Sequence, residues 1–88
     1  MKLKYKFVIN NVAGEIVAVS VGNNSGSFNG FVKLNETGAF IFQKLKTDTT
    51  RDGIISDVLK EYPDASYDEA AKSVDTLLER LEKADLLI

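Results

Sequence analysis

Apolar and polar residues change their spacing once along this chain of 88 residues. In the first third they alternate. Leu3, Tyr5, Phe7 and Ile9 fall on one side, with Lys2, Lys4, Lys6 and Val8 on the other. That is the period-two pattern of a half-buried strand over 3–9. Asn10-Asn11 and Gly14 then bracket a short turn. Glu15-Ile16-Val17-Ala18-Val19-Ser20-Val21 is rich in β-branched residues and predicts a second strand. A polar turn run, Gly22-Asn23-Asn24-Ser25-Gly26-Ser27, leads to a third strand from Phe28 to Leu34. Two short connections between three strands favour an antiparallel meander in the order 1-2-3.

The second half has helical spacing. Asn35 is a good N-cap, and Glu36 beside it suits the positive end of a helix dipole. Ala39, Ile41, Phe42 and Leu45 give this first helix its apolar face. Thr49 with Asp52 resembles a capping pair opening a second helix, which carries Ile54, Ile55, Val58, Leu59 and Tyr62 and stops at Pro63. Ser66 and Glu69 form a regular capping box for a third helix running to about Asp85. Its stripe is Ala70, Val74, Leu77, Leu78, Leu81 and Ala84, and Leu86-Leu87-Ile88 is expected to fold back onto the core. The pattern β-β-β-α-α-α predicts an α+β domain spanning 1–88, with helices on one sheet face and a winged-helix-like shape.

Composition narrows the chemistry. There is no cysteine and no histidine. Disulfides, thiolate metal sites and the commonest general base are therefore excluded. Lys and Arg total 11 against 13 Asp and Glu, a net charge of −2, which gives no global sign of a nucleic-acid surface. No apolar run approaches the ~20 residues of a membrane span. The start alternates where a signal peptide would show a solid apolar block. A soluble cytoplasmic protein without cofactor or metal, and not an enzyme, is the expectation.

The junction Leu34-Asn35-Glu36-Thr37-Gly38-Ala39, with Ile41, Phe42 and Leu45, resembles the PqqD-like family. Ile54-Ile55, Val58-Leu59, Val74, Leu77-Leu78, Leu81 and Leu86-Leu87 extend the resemblance over nearly the whole chain. Family members often carry tryptophan where Phe42 stands and glycine where Asp85 stands. Phe42 still fills a core, and Asp85 tolerates the left-handed turn that glycine supplies after a helix. The resemblance implies a peptide-recognition element of ribosomally made, post-translationally modified peptide pathways. Such a domain holds the leader of a precursor peptide as an added β-strand between strand three and helix three. It delivers the core of that peptide to a modifying enzyme, often a radical S-adenosylmethionine enzyme. The family serves many pathways, pyrroloquinoline quinone synthesis among them.

The residues agree with an added strand, which needs an open sheet edge. Lys2, Lys4 and Lys6 defend strand one, because edge lysines discourage pairing. Strand three offers Gly30, Phe31, Val32 and Lys33, with one charge and a glycine that permits close backbone approach. The same open edge would let two copies pair as a homodimer. On helix three, taking Val74 as the stripe centre sets Ala71 and Leu78 on one flank with Asp75 beyond. That flank is the expected groove wall, Asp75 favouring a basic leader residue, and Arg80 then lies away from the groove. Plain alternatives exist: Ala71, Val74 and Leu78 as core, Asp75 as a solvated charge, Gly30 as a bulge. A DNA-binding regulator and a generic protein-interaction module are the competing functions. Against the regulator, helix three sets Lys72, Arg80 and Lys83 against Asp68, Glu69, Asp75, Glu79, Glu82 and Asp85.

Overall fold

Residues 1–21 and 31–88 are described by the computed structural model. The first two strands, β1 (Phe7–Val12) and β2 (Glu15–Ser20), are joined by only Ala13 and Gly14. Both residues have positive φ, 53° and 83°. This is what a two-residue type I′ turn requires, and its twist matches that of the flanking strands. The turn fixes the register from Val12↔Glu15 to Phe7↔Ser20. The third strand, β3 (Phe31–Leu34), pairs antiparallel with β2 from Val19↔Phe31 to Ile16↔Leu34, giving the order β1-β2-β3.

The expected meander is therefore present, but its first strand is displaced. Asn10 and Asn11 pair with Val17 and Ile16 instead of turning. Residues before Phe7 bond elsewhere. The Leu3 amide donates to the Leu45 carbonyl and the Lys4 amide to that of Leu86, both at 2.8 Å, and Leu3 bridges Leu87. The physical reason is the hairpin. Once positive φ is set at Ala13 and Gly14, the ladder runs out near Lys6, and the earlier amides find partners at the end of α1 and in the C-terminal tail. The turn run 22–27, and the strand residues expected at 28–30, lie outside the described residues.

Strand alternation gives the sheet two faces. Phe7, Ala18, Val32 and Leu34 are buried on the inner one. The outer face carries the cross-strand row Val8–Val19–Phe31, with Val8 and Phe31 well exposed. Helices α1 (Glu36–Lys44), α2 (Arg51–Glu61) and α3 (Tyr67–Lys83) cover the inner face. Phe42 and Leu45 from the first helical segment, Ile54 and Ile55 from α2, and Val74, Leu77, Leu78 and Leu81 from α3 fill the core. The Phe42 ring meets Phe7 edge-on, centroids 5.1 Å apart. The arrangement is the α+β, winged-helix-like order β-β-β-α-α-α.

Each helix begins on an identifiable cap. Asn35 accepts the Gly38 amide at 2.6 Å. Thr50, one residue after the expected Thr49, accepts the Gly53 amide at 3.0 Å. Thr49 does not serve: the carbonyl that an N-cap offers to the first intrahelical bond here accepts the Met1 ammonium at 2.7 Å, and the Thr50 carbonyl takes the Ile54 amide instead. Ser66 and Glu69 make the expected reciprocal box. At the far end of α3 the Leu86 amide reaches the Leu81 carbonyl and the Asp85 amide that of Glu82. These are the two bonds of a Schellman ending, and Asp85 takes the left-handed position with φ 58°.

The second and third helices are also clamped at the surface. Arg51 donates Nε and Nη2 to the two carboxylate oxygens of Asp75, at 2.6 and 2.9 Å. The bidentate guanidinium holds the Asp75 carboxyl below its ordinary range. The Ser66 amide does the same for Glu69.

Glycine at the third position of α1 has a specific reason. A Cβ on Gly38 would stand 2.9 Å from the capping oxygen of Asn35. Asn35→Ala is expected to lower stability by about 1 kcal/mol in urea unfolding. Gly38→Ala alone should gain little, because the helix-propensity gain of about 1 kcal/mol is offset by displacement of the cap. On the Asn35→Ala background the same change should stabilise by about 1 kcal/mol. Equal effects on both backgrounds would refute this account of the glycine.

The lowered carboxyls predict an acid limit. A depressed folded-state pKa contributes stability that is complete above the unfolded carboxylate value of about 4 and is lost as pH falls through the folded value. Asp75→Asn should therefore melt below the parent at neutral pH, with the gap closing as pH drops toward about 2. A gap that stays constant over that range would mean the clamp carries no ionic stabilisation.

Candidate functional site

The site is built from backbone first. In an antiparallel ladder a residue's N–H and C=O point to the same side, and successive residues alternate. Arg80 on α3 donates Nη2 to the Lys33 carbonyl at 2.9 Å. Lys33 therefore faces away from β2, and Phe31, two residues back, shares its phase. Val32 and Leu34 are left to bond the facing Ala18 and Ile16. The outer edge of β3 thus presents the N–H and C=O of Phe31 and the N–H of Lys33, while the Lys33 carbonyl is already capped. Among the described residues no other strand pairs along this edge.

Beside the edge lies a hollow of about 360 Å³ between Phe31 and Val32 on one side and Arg80, Leu81, Lys83, Ala84 and Leu86 on the other. A second hollow of about 250 Å³ continues past the start of α1. Asn35 and Gly38 line it from α1, and Lys72, Ser73, Thr76, Leu77 and Arg80 from α3. Arg80 lines both. The floor is apolar, because Val32, Leu77, Leu81 and Leu86 are core residues whose edges reach the groove. The rim is polar and cationic. Helical spacing explains which α3 residues appear: Ser73, Leu77, Arg80 and Ala84 follow one another at three- and four-residue steps, one face of the helix.

The predicted site residues divide accordingly. Phe31, Val32 and Lys33 lie on β3 at the groove. Gly30 lies outside the described residues. Val74 and Leu78 are buried in the core, at 0 and 6 % exposure, and Ala71 packs against it part-buried. Asp75 is turned to Arg51 on α2. None of these four α3 residues lines either hollow. The bond from Arg80 to Lys33 corrects the expectation that Arg80 faces away from the groove. Sequence reasoning missed Arg80 because an apolar stripe has two flanks, and only the position of Arg51 on α2 tells them apart.

The groove is equipped to hold an extended chain. It offers backbone donors and an acceptor, an apolar floor, hydroxyls from Ser73 and Thr76, and cations. No carboxylate lines it. Among the described residues there is no cluster of acidic side chains able to hold a metal ion, and the sequence has no histidine or cysteine. No helix of the described residues is long and apolar enough to cross a membrane.

A family model described as coenzyme PQQ synthesis protein D matches residues 7–87. No curated protein matches the chain significantly, and no solved structure does. The family match runs from the first strand through the three helices to the tail behind α3, and so takes in β3, the Asn35 junction and both walls of the groove. The chain belongs to the PqqD family.

Proposed function

We propose that this chain is a peptide chaperone that binds the leader segment of a ribosomal precursor peptide as a fourth strand on β3, against α3, and presents it to a modifying enzyme. A radical S-adenosylmethionine enzyme is the partner class the family suggests. One observation carries the reading: Phe31 and Lys33 turn hydrogen-bonding backbone toward an apolar-floored groove. Family membership supports a general role in peptide recognition and in the company of a modifying enzyme.

Strand addition uses the backbone for affinity and side-chain pockets for choice. An incoming antiparallel or parallel strand would bond Phe31 and Lys33. Its alternate side chains would drop toward Leu81, Leu86 and Val32. The α3 wall is assigned to the face of Leu77, Arg80, Leu81 and Ala84 in preference to that of Ala71, Val74, Asp75 and Leu78, because the former borders the hollows. The charged groups that line the groove are cations alone, with no general acid–base pair among them, which fits binding without catalysis.

The test is an NMR titration with the leader of a precursor encoded beside this chain's own gene. The amides of Phe31 and Lys33 should shift and gain protection from exchange, together with amides of 77–84. Lys33→Pro removes the outward donor while leaving the bonds to β2, a tolerated use of proline on an edge. It should weaken binding roughly three- to tenfold, the worth of one hydrogen bond, with Lys33→Ala as the control. Shifts confined to β1 or α2 would sink the groove assignment. A salt-sensitive shift of duplex DNA in a gel, without peptide binding, would favour a nucleic-acid regulator instead.

A further inference from the structure

The groove has a charge that the whole chain does not. The net charge is −2, yet both hollows are lined by cations and by no carboxylate. Arg80 belongs to both, Lys72 to one and Lys83 to the other. No acid of α3 lines either hollow. Asp75 is bound to Arg51, and Glu69 closes its capping box with Ser66. Lys83 has only a 3.8 Å contact with Glu79 one turn back, and Lys72 has no ion pair among the described residues. Arg80 spends one of its donors on the neutral Lys33 carbonyl.

That bond stands in the way of a fourth strand. A peptide laid along β3 needs the Lys33 carbonyl as an acceptor for one of its own N–H groups. The oxygen has two lone pairs, so Arg80 competes for this acceptor, and its release frees the carbonyl for full pairing. The Arg80 side chain is exposed, so release requires no repacking of the core. The freed guanidinium then sits on the groove wall, beside the incoming chain and between Lys72 and Lys83.

We propose that the segment accepted by β3 is acidic: an extended peptide carrying an Asp or Glu side chain in register with Arg80. Arg80 acts as a latch that covers the Lys33 carbonyl when the groove is empty and pairs with the peptide's carboxylate when it is filled. The proposal rests on the strand-addition reading above and adds the chemistry of the peptide. A neutral segment breaks the Arg80 bond and offers the guanidinium only neutral acceptors in return. A basic segment meets three cations as well. An acidic one replaces a neutral acceptor by a carboxylate, whose planar pair of oxygens matches the guanidinium fork. Of the three, only the acidic segment offers the released guanidinium a charge-assisted partner.

The experiment pans a displayed library of random short peptides on the intact chain and on Arg80→Gln. Binders are retained only where they protect the Phe31 and Lys33 amides from exchange, and melting curves confirm that both proteins are folded. Peptides recovered on the parent should be enriched in Asp or Glu at one position. Changing that residue to Gln should weaken binding to the parent about three- to tenfold and leave binding to Arg80→Gln unchanged. Arg80→Lys should keep the charge preference only in part. Added salt should weaken the acidic peptide more than its Gln counterpart. Peptides that protect Phe31 and Lys33 without acidic enrichment, or with basic enrichment, would overturn this inference and leave strand addition standing. If no peptide protects those amides, both readings fall.

Discussion

An edge strand cannot leave its outward backbone unaccounted for: each N–H and C=O must be hydrated, capped or paired. The rest of this domain is arranged around that constraint at β3. Leu34 is held by the core, so the strand ends where Asn35 caps α1 and turns the chain across the inner sheet face. Gly38 leaves the space in which that cap and the second hollow both fit. The third helix then runs beside β3, kept in place by its buried stripe and by the Arg51–Asp75 clamp to α2. From there Arg80 covers one acceptor and leaves the neighbouring groups of the same edge open. The edge is sheltered without being closed.

Most of the fold can be read from residue spacing because its signals are local. The β-branched run at 15–21, the cap at Asn35, the box at Ser66 and Glu69 and the left-handed end at Asp85 each depend on neighbours within about five positions. Strand one is different. Its alternation continues backward through Leu3 and Tyr5, so periodicity alone extends it too far. The true limit is set by a two-residue turn that puts a non-glycine, Ala13, at positive φ, a choice that composition does not announce. Thr49 and Thr50 are equally good caps in isolation, and a long-range bond from the Met1 ammonium to the Thr49 carbonyl decides between them.

The site was half legible. An apolar β3 with few charges pointed to the receptive edge. The third helix does lie beside β3, but its stripe is symmetrical about Val74, and a wheel cannot say which flank meets β3 and which meets α2. The clue was electrostatic and non-local: Arg51 at the start of α2 takes the Asp75 carboxylate with both prongs of its fork, while Asp52 beside it stands at 3.8 Å. Once Asp75 is spoken for, the opposite flank with Ser73, Leu77, Arg80 and Ala84 faces the strand. Net charge misled in the same way. Summed over α3 the acids outnumber the bases, but Lys72, Arg80 and Lys83 border the groove while no acid does. A segregated helix presents a field opposite in sign to its total.

The same cations bear on self-association. Two copies could in principle pair through β3, since an open edge is a template for its own kind. Pairing would set both Arg80 side chains in competition for the Lys33 carbonyls, and it would bring two Arg80 and their neighbours Lys72 and Lys83 together, while Lys33 is paired with Glu15 at 3.2 Å. Like charges facing across an interface are disfavoured, and here they would be partly removed from water. A carboxylate-bearing segment meets the reverse situation on the same backbone ladder. One set of side chains therefore disfavours the homodimer and favours the partner, which is how discrimination by repulsion works. It also limits affinity. Each encounter spends the existing bond from Arg80 to the Lys33 carbonyl, which offsets part of what the new strand contributes.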